Sequence, residues 1–299
     1  ALSESLFKDA RVLQAFAGAR AVAQAHDQAL RLRLVIGPSA PDLHSLHWEK
    51  LRDPDQDSSL ATNEQILFSR YLSSDNWRPV CLRPKADLSA LVVIADPDNL
   101  TKFQPLKVTD ELAQAKAFLG NIPVTALISE GKATLKNLCA ELRNGHDILY
   151  LVCHGALIEG EPWVWLEDDQ KHAARVSGQE IVENLCNLAQ RPRLVVLASC
   201  QSSGGVRGES GALVALGPRL AEAGIPAVLA MQEDISAETV AKFMPVFFQE
   251  LQRDGEIDRA MTVARLAVRH QLDWWVPVLF MRLRSGRLWY APGFAEEKQ

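Results

Sequence analysis

The sequence predicts an α/β fold in which a mostly parallel β-sheet carries helices on both faces. From residue 88 onward, short apolar runs alternate with segments of helical periodicity. Two runs, which end at His154–Gly155 and at Ser199–Cys200, are rich in β-branched residues and too short for ordinary helices. They also lack a strict polar alternation, which is typical of parallel strands that are buried on both faces.

In the first 84 residues, predicted strands and helices alternate less regularly. Residues 4–30 are Ala-rich with apolar residues at helical spacing, which predicts one or two amphipathic helices. Residues 30–36 alternate apolar side chains with Arg31 and Arg33, which predicts a strand with one buried face. Pro41 and Asp42 favour the start of a short helix over residues 41–51. Residues 52–63 predict a loop, 65–71 a strand or a short helix, and 76–84 a connector.

The second part of the chain has clearer elements. Asp110, Ser177 and Ser236 are expected helix N-caps, and Glu180 completes a capping box with Ser177. The predicted helices are 110–119, 134–143, 177–187, 211–223, 236–251 and 258–270. Besides the two runs above, the predicted strands are 88–95, 124–128, a hairpin strand at 163–166, 227–231, 275–283, and 288–290, which pairs after the turn at Ser285–Gly286.

A change of composition near residues 73–87 predicts a boundary between two units. Polar residues and two prolines interrupt the pattern there. We therefore expect a smaller N-terminal α+β lobe over residues 1–84 and a catalytic α/β domain over residues 85–299. The chain begins Ala1–Leu2–Ser3 without Met, and we expect it to be a piece of a longer polypeptide.

Composition excludes several classes of function. The formal net charge is −5, and no basic tract suggests contact with nucleic acid. No run of 18 apolar residues suggests a membrane span, and the phosphate-loop and dinucleotide fingerprints are missing. The five cysteines are odd in number and form no Cys-x-x-Cys pair, so we expect neither disulfides nor structural zinc, and a cytoplasmic protein.

His154 and Cys200 are the candidate catalytic residues. The carboxyl ends of neighbouring parallel strands meet at one edge of a sheet, where function gathers in α/β folds. A right-handed crossover over the 46 positions between them, 200 − 154, brings the two ends together. An imidazole beside a thiol promotes the thiolate and supplies a proton to the leaving group. The backbone amides of Gly155 and Cys200 are candidate donors of an oxyanion hole.

Each of these residues also has a structural interpretation. A cysteine at a strand end is usually inert core, and we expect this for Cys139, Cys153 and Cys186. A histidine at a strand end is often only a hydrogen-bonded structural residue. The joint pattern of two apolar runs, one ending in His-Gly and the other in Ser-Cys, favours chemistry over both alternatives.

These motifs resemble a known family. Residues 150–155 (YLVCHG) and 195–200 (VVLASC) are similar to the paired motifs of the CHAT family, the separase-related branch of the caspase-like cysteine peptidases. The resemblance extends to residues 46–51 (LHWEKL), where His47 replaces the usual Pro, and to 223–230 (AGIPAVLA) and 274–280 (WWVPVLF). It implies a caspase-like three-layer sandwich, His154 as general base, Cys200 as nucleophile in peptide-bond cleavage, and no metal or cofactor.

The resemblance also implies acidic residues that bind substrate. In separase relatives, an acid after the strand that follows the catalytic Cys receives a basic P1 side chain. Asp234, with Glu233 beside it, matches that position best, and a carboxylate suits a guanidinium. The alternative is that both acids only favour the dipole of the next helix. The chain departs from the family at residues 231–234 (MQED), where many relatives carry a Trp, and after Ser236, where separase-like sequences have a second Asp.

Other residues near the predicted edge have open roles. Asp96 and Asp98 follow the strand 88–95 and either help to orient His154 or bind substrate, or simply form a turn. Trp163 and Trp165 share one face of their strand, which makes them either a cleft wall or a hydrophobic hairpin. Ala198, two residues before Cys200, excludes an acidic pocket wall from that position. We expect the loops 201–210 and 159–174 to move during activation.

The sequence therefore predicts a cysteine endopeptidase that cleaves a partner protein. The resemblance implies a regulated effector domain of a larger bacterial signalling or defence protein, with a regulatory domain or subunit as partner and oligomerisation on activation as a further expectation. No membrane or direct nucleic-acid contact is expected. The alternatives are a catalytically silent CHAT-type scaffold and a different thiol chemistry, such as acyl transfer, on the same dyad.

Overall fold

The protein folds as three layers, with one eight-stranded sheet between two layers of helices. A computed structural model describes residues 2–37, 40–72, 80, 82–101, 103–198 and 209–290. Within these residues, the sheet buries one apolar cluster on each face. The predicted three-layer α/β sandwich with a mostly parallel central sheet is therefore confirmed.

Eight α-helices lie in the described part of the chain. The predicted caps Ser177 and Ser236 are confirmed, because their hydroxyls accept from the backbone N–H of Glu180 and of Thr239. The predicted cap Asp110 is wrong, since that helix begins two residues earlier, after Lys107. The helices are α1 (Leu2–Phe7), α2 (Ala10–Ala25), α3 (Val108–Leu119), α4 (Leu135–Leu142), α5 (Gly178–Cys186), α6 (Glu209–Glu222), α7 (Ala237–Asp254) and α8 (Ile257–Ala267).

Where a helix was predicted at 41–51, the chain forms two short 3-10 turns instead.

Thirteen strands occur in the described residues. The strands are β1 (Leu30–Val35), β2 (Ile66–Tyr71), β3 (Arg83–Pro84), β4 (Ala90–Ile94), β5 (Val124–Ile128), β6 (Ile148–Val152), β7 (His154–Ile158), β8 (Glu161–Glu167), β9 (Ala173–Ser177), β10 (Leu194–Ala198), β11 (Ala227–Met231), β12 (Pro277–Met281) and β13 (Trp289–Tyr290).

The strand order of the large sheet is β1-β2-β12-β11-β10-β6-β4-β5. Among its described pairings, only β11–β12 is antiparallel. Strands β7, β8 and β9 form a separate antiparallel sheet. The sequence predicted only the middle strand of this small sheet. The last strand, β13, pairs with β3 rather than folding back on β12.

Successive side chains of β6 point to opposite faces of the large sheet and so contribute to two separate apolar clusters. Ile148, Tyr150 and Val152 pack in the cluster that includes α3, α7 and α8. Leu149 and Leu151 pack in the cluster that includes α4, α5 and α6. A strand apolar on both sides is therefore required here, which explains the continuous apolar run in the sequence.

The N-terminal strands β1 and β2 extend the large sheet beyond β12. They share a third, smaller apolar cluster with α1 and α2. The division into units at residue 84 stays a prediction. No helix within the described residues is long and apolar enough to cross a membrane.

Candidate active site

The site is organised by two neighbouring parallel strands, β6 and β10. Their register places the last residue of β6, Val152, opposite the last residue of β10, Ala198. This confirms that the two apolar runs are adjacent and end side by side. His154 comes two residues after β6 and begins β7. Cys200, two residues after β10, lies outside the described residues.

His154 is buried and packs against the aromatic ring of Phe103. Its side chain is 5% exposed. The ring of Phe103 stacks on the imidazole, with centroids 4.8 Å apart and planes 24° apart. Trp165, opposite His154 in the β7–β8 pairing, also contacts Phe103, with ring centroids 5.1 Å apart. Trp165 therefore belongs to the wall of the histidine site, whereas the sequence left its role open.

Asp96 is the acidic residue that faces His154. Its Oδ1 atom lies 3.9 Å from His154 Nε2, which is too far for a hydrogen bond but close enough for an electrostatic interaction. Burial raises the pKa of Asp96, and the backbone N–H of Leu106 and the charge of His154 oppose this rise. Its backbone N–H donates to Ser129 Oγ at the end of β5. The proposed role of Asp96 in orienting His154 stays a prediction, but the geometry permits it.

Glu167 is a buried acid that sequence reasoning missed. It is 2% exposed and accepts hydrogen bonds from the backbone N–H groups of Glu130, Gly131 and Ala133. These contacts fix the loop after β5, which supplies Ser129 to Asp96. Glu167 therefore supports the site from a distance. No local pattern predicts this role, because its partners lie more than 30 positions away along the chain.

Two of the described cysteines, Cys139 and Cys153, are poor nucleophiles. Cys153 is 1% exposed, and burial raises the pKa of its thiol to about 12. Burial also raises the pKa of Cys139. Thiols that resist ionisation react slowly. The expectation that these two cysteines are core residues is confirmed, while Cys186 is half-buried, with its sulfur 3.5 Å from the Ala223 carbonyl.

Only one of the two predicted oxyanion-hole donors lies within the described residues. Gly155 is buried in β7, opposite Val164 of β8. The other donor, the Cys200 amide, lies outside the described residues. The oxyanion hole therefore stays a prediction.

A cavity of about 380 Å³ opens beside the end of β10. It lies on the face of the sheet that Tyr150 and Val152 share with α3 and α7. Its floor is apolar and its rim is charged. The lining residues are Lys107, Asp110, Glu111, Gln114, Phe118, Tyr150, Ala198, Met231, Ile235, Ala237, Val240, Ala241 and Met244.

The predicted substrate-binding acids lie at the surface after β11. Glu233 Oε1 is 2.8 Å from His47 Nε2, and the Glu233 side chain is 50% exposed. Asp234 is exposed. Neither is among the described residues that line the cavity beside Ala198. Their role in substrate binding stays a prediction.

A buried polar cluster joins the N-terminal segment to the end of β11. The Arg70 guanidinium, fully buried, donates to both carboxylate oxygens of Glu49 and to Gln232 Oε1. Gln232 in turn donates to the carbonyls of Ser45 and Leu46. The cluster thereby fixes residues 44–46 beside Glu233. Sequence reasoning missed it, because the partners are up to 187 positions apart.

The described residues contain no group of three or more His, Cys, Asp and Glu side chains placed to hold a metal ion.

Comparisons with solved structures show a related fold. The chain superimposes on the Arg-specific cysteine proteinase gingipain R with a TM-score of 0.53 and 13% identity, over 96% of this chain and 70% of that chain. A complex of Porphyromonas gingivalis RgpB pro- and mature domains gives a TM-score of 0.48, with 12% identity and coverage of 96% and 72%. The Drosophila initiator caspase Dronc gives 0.35, with 11% identity and coverage of 64% and 76%.

Sequence comparison identifies the family. No curated protein matches the chain. The family model of the CHAT domain matches residues 8–283, which is nearly the whole chain and includes His154 and Cys200. The resemblance predicted from the two strand-end motifs is confirmed, and the chain belongs to the CHAT domain family.

Proposed function

We propose that the protein is a cysteine endopeptidase in which Cys200 is the nucleophile and His154 the general base. The observation that carries this proposal is the register of β6 and β10, whose last residues, Val152 and Ala198, lie opposite each other. The chain leaves these two ends toward His154 and toward Cys200. Membership of the CHAT domain family supports the same assignment.

The proposed reaction follows the general chemistry of thiol peptidases. His154 accepts the proton of the Cys200 thiol, and the thiolate attacks the carbonyl carbon of the scissile bond. The backbone N–H groups of Gly155 and Cys200 stabilise the negative oxygen of the tetrahedral intermediate. His154 then protonates the leaving amine, and a thioester remains. Water, deprotonated by His154, hydrolyses the thioester and regenerates the thiol.

The surroundings of His154 suit this role. Phe103 restricts rotation of the imidazole by stacking on its face. Asp96 favours the imidazolium that forms during the reaction, since an opposite charge nearby stabilises the charged form of histidine. The stacking orients the base before substrate binds, which lowers the entropic part of the barrier.

The cavity beside Ala198 is the proposed binding site for the substrate side chain next to the scissile bond. Its apolar floor accepts a long aliphatic stem, and Asp110 and Glu111 at its rim suit a cationic head group. Gingipain R, whose fold is similar, is Arg-specific. We therefore propose Arg or Lys at P1. Asp234 and Glu233, at the surface after β11, are the alternative acids for the same head group.

The biological setting is proposed from family membership alone. We propose that the domain acts in the cytoplasm as a regulated effector of a larger bacterial signalling or defence protein. A regulatory domain or subunit of that protein controls the cleavage of a partner protein, and oligomerisation accompanies activation. The proposed cleavage reaction does not depend on this biological setting and has its own test.

The test is cleavage of a fluorogenic peptide library by the wild-type protein, by Cys200→Ala and by the matched control Cys186→Ala. Cleavage after one residue type that is lost only in Cys200→Ala supports the proposal. Iodoacetamide labelling read by mass spectrometry provides a second measurement, because Cys200 should react before Cys139 and Cys153. No cleavage together with no selective labelling of Cys200 would replace the peptidase by the scaffold alternative.

A further inference from the structure

A second cavity lies on the N-terminal side of the molecule, away from the end of β10. Its volume is about 490 Å³. It is bounded by the 3-10 turns around residues 48–50 and 60–62, by the chain after α8, and by the turn before β12. The described residues that line it are Lys50, Arg52, Ser59, Thr62, Arg269, His270, Leu272, Trp274 and Trp275.

The charged lining of this cavity is entirely basic among the described residues. Lys50, Arg52 and Arg269 are exposed, in a chain whose net charge is −5. Arg52 is paired with Asp57, whose side chain is 83% exposed and does not line the cavity. Arg269 donates through Nε to His270, and nothing described neutralises its charge. A concentration of positive charge of this kind attracts an anion.

One polar group in the lining has no partner within the described part of the chain. The hydroxyl of Ser59 is shielded from solvent, and no described residue forms a hydrogen bond with it. Shielded hydroxyls are normally hydrogen-bonded, and leaving one unsatisfied is unfavourable. An oxygen-rich ligand seated between Lys50 and Arg269 would accept this hydrogen bond.

The remaining wall is aromatic and apolar. Trp274 is half-buried and Trp275 is 7% exposed, and both line the cavity. Lys50 Nζ lies 3.6 Å from the centroid of the Trp275 ring, which holds the ammonium group in place by a cation–π contact. Leu272, also in the lining, is 96% exposed, which is unusual for a large apolar side chain. Tryptophan side chains stack well on flat heterocyclic rings.

We propose that this cavity binds a small ligand in which a phosphate group is joined to a flat ring, which is the chemistry of a nucleotide. Lys50, Arg269 and the Ser59 hydroxyl bind the phosphate, and Trp274, the more exposed of the two tryptophans, contacts the ring. The volume is in the usual range for small-molecule sites, which favours a nucleotide over an extended acidic peptide. Binding is measured directly and is independent of peptidase activity.

The site is connected by contacts to the predicted substrate-binding acids. The Trp275 ring packs against the His47 ring, with centroids 4.1 Å apart. His47 in turn contacts Glu233 at 2.8 Å. A ligand bound by Lys50 beside Trp275 is therefore separated from Glu233 by two side chains, Trp275 and His47. This proximity gives the nucleotide a route to influence substrate binding.

The test is isothermal titration calorimetry of the full chain with ATP, in parallel with sodium triphosphate, adenosine and a poly-glutamate peptide. The variants are Lys50→Gln and Arg269→Gln. Lys136→Gln is the matched control, because Lys136 is an exposed lysine on α4 and lies outside this cavity. Circular dichroism checks that each variant is folded.

We expect ATP to bind more tightly than triphosphate or adenosine, and each cavity variant to weaken ATP binding about tenfold or more, because a charge-assisted hydrogen bond is lost. Lys136→Gln should bind as the wild type does. Absence of ATP binding, equal binding of triphosphate and ATP, binding of poly-glutamate alone, or equal loss of affinity in the control would each overturn the proposal.

Discussion

The ring of Phe103 stacks on the imidazole of His154, 4.8 Å away and tilted by 24°. The two residues come from different parts of the chain: His154 follows β6, and Phe103 lies in the connection between β4 and α3. Trp165 contacts the same Phe103 ring from the small antiparallel sheet. An imidazole that is 5% exposed and stacked against an aromatic ring has little rotational freedom. Phe103 is therefore a positioning residue for the proposed base.

We predict that Phe103→Ala lowers kcat for peptide cleavage by about ten- to hundredfold, since small displacements of a catalytic group are costly. KM should change less, because Phe103 contacts the base and lies outside the described lining of the cavity beside Ala198. Phe103→Tyr keeps the stacked ring and should retain most of the activity.

The matched control for this prediction is Phe7→Ala, which removes the same side chain from a half-buried position in α1. Its kcat should equal that of the wild type. Steady-state kinetics and thermal unfolding of the three variants separate positioning from loss of stability. An equal loss of kcat in Phe7→Ala would contradict the positioning role.

The Asp96 carboxylate gives a second prediction, in which activity and stability move in opposite directions. At 3.9 Å, two unit charges interact by about 1 to 4 kcal/mol in polar surroundings. Asp96→Asn should therefore lower kcat about tenfold, because the imidazolium loses this stabilisation. The pH–rate profile should lose its acid limb where Asp96 titrates, above the usual aspartate value of 3.8.

The stability of the same variant follows from the raised pKa of Asp96. Because burial raises this pKa in the folded state, the native protein binds the proton more tightly than the unfolded chain does. The stability contributed by protonation is lost as the pH rises from 3.8 through the raised pKa. We expect Asp96→Asn to be at least as stable as the wild type at pH 7, with a difference that vanishes toward pH 3.8. A large loss of Tm at pH 7 would show that Asp96 is mainly structural.

The large sheet was predictable from the sequence because buried parallel strands need apolar residues on both faces. The runs that became β6 and β10 were identified with their neighbours and their ends, which located His154. The small sheet of β7, β8 and β9 was missed in two of its three strands. The sequence of β7, which begins with His154–Gly155, shows no strand pattern. The strand forms through its pairing with β8, which the sequence alone does not reveal.

The side-chain contacts around His154 and Arg70 could not be predicted from the sequence either, because they also join distant segments of the chain. Phe103 and His154 are 51 positions apart, 154 − 103, and no periodicity links them. The buried Arg70 was assigned only to a strand or a short helix, although it pairs with Glu49 and Gln232. Such polar contacts depend on the final packing of distant segments. Local propensity and pattern carry no information about them.

The pair of Arg70 and Glu49 gives a prediction about stability. Both side chains are almost completely buried, and two hydrogen bonds join them. Removing one partner leaves a buried charge uncompensated, which costs about 3 to 5 kcal/mol. Glu49→Gln should therefore lower the free energy of unfolding by that amount, measured by urea denaturation.

The double variant Arg70→Met with Glu49→Leu is the companion test. It removes both charges, so it should be less destabilised than the sum of the two single variants. Additive losses would mean that the two side chains contribute independently, mainly through Gln232 and the backbone carbonyls of residues 44 and 46.

Two glycines give opposite predictions for the same substitution. Gly255 ends α7 with φ = 79°, and a Cβ atom there would clash with the carbonyl oxygen of Trp289. Gly255→Ala should destabilise the protein by about 2 to 4 kcal/mol, because alanine is strained in the left-handed conformation and its methyl group would displace β13.

Gly18 is exposed within α2, and an alanine methyl group there would meet no atom of the described residues within 4 Å, apart from its own helix backbone. Gly18→Ala should stabilise the protein by up to about 1 kcal/mol, because Ala favours the helix. Urea denaturation of both variants checks the pair, and a stable Gly255→Ala protein would show that the chain between α7 and α8 adjusts freely around β13.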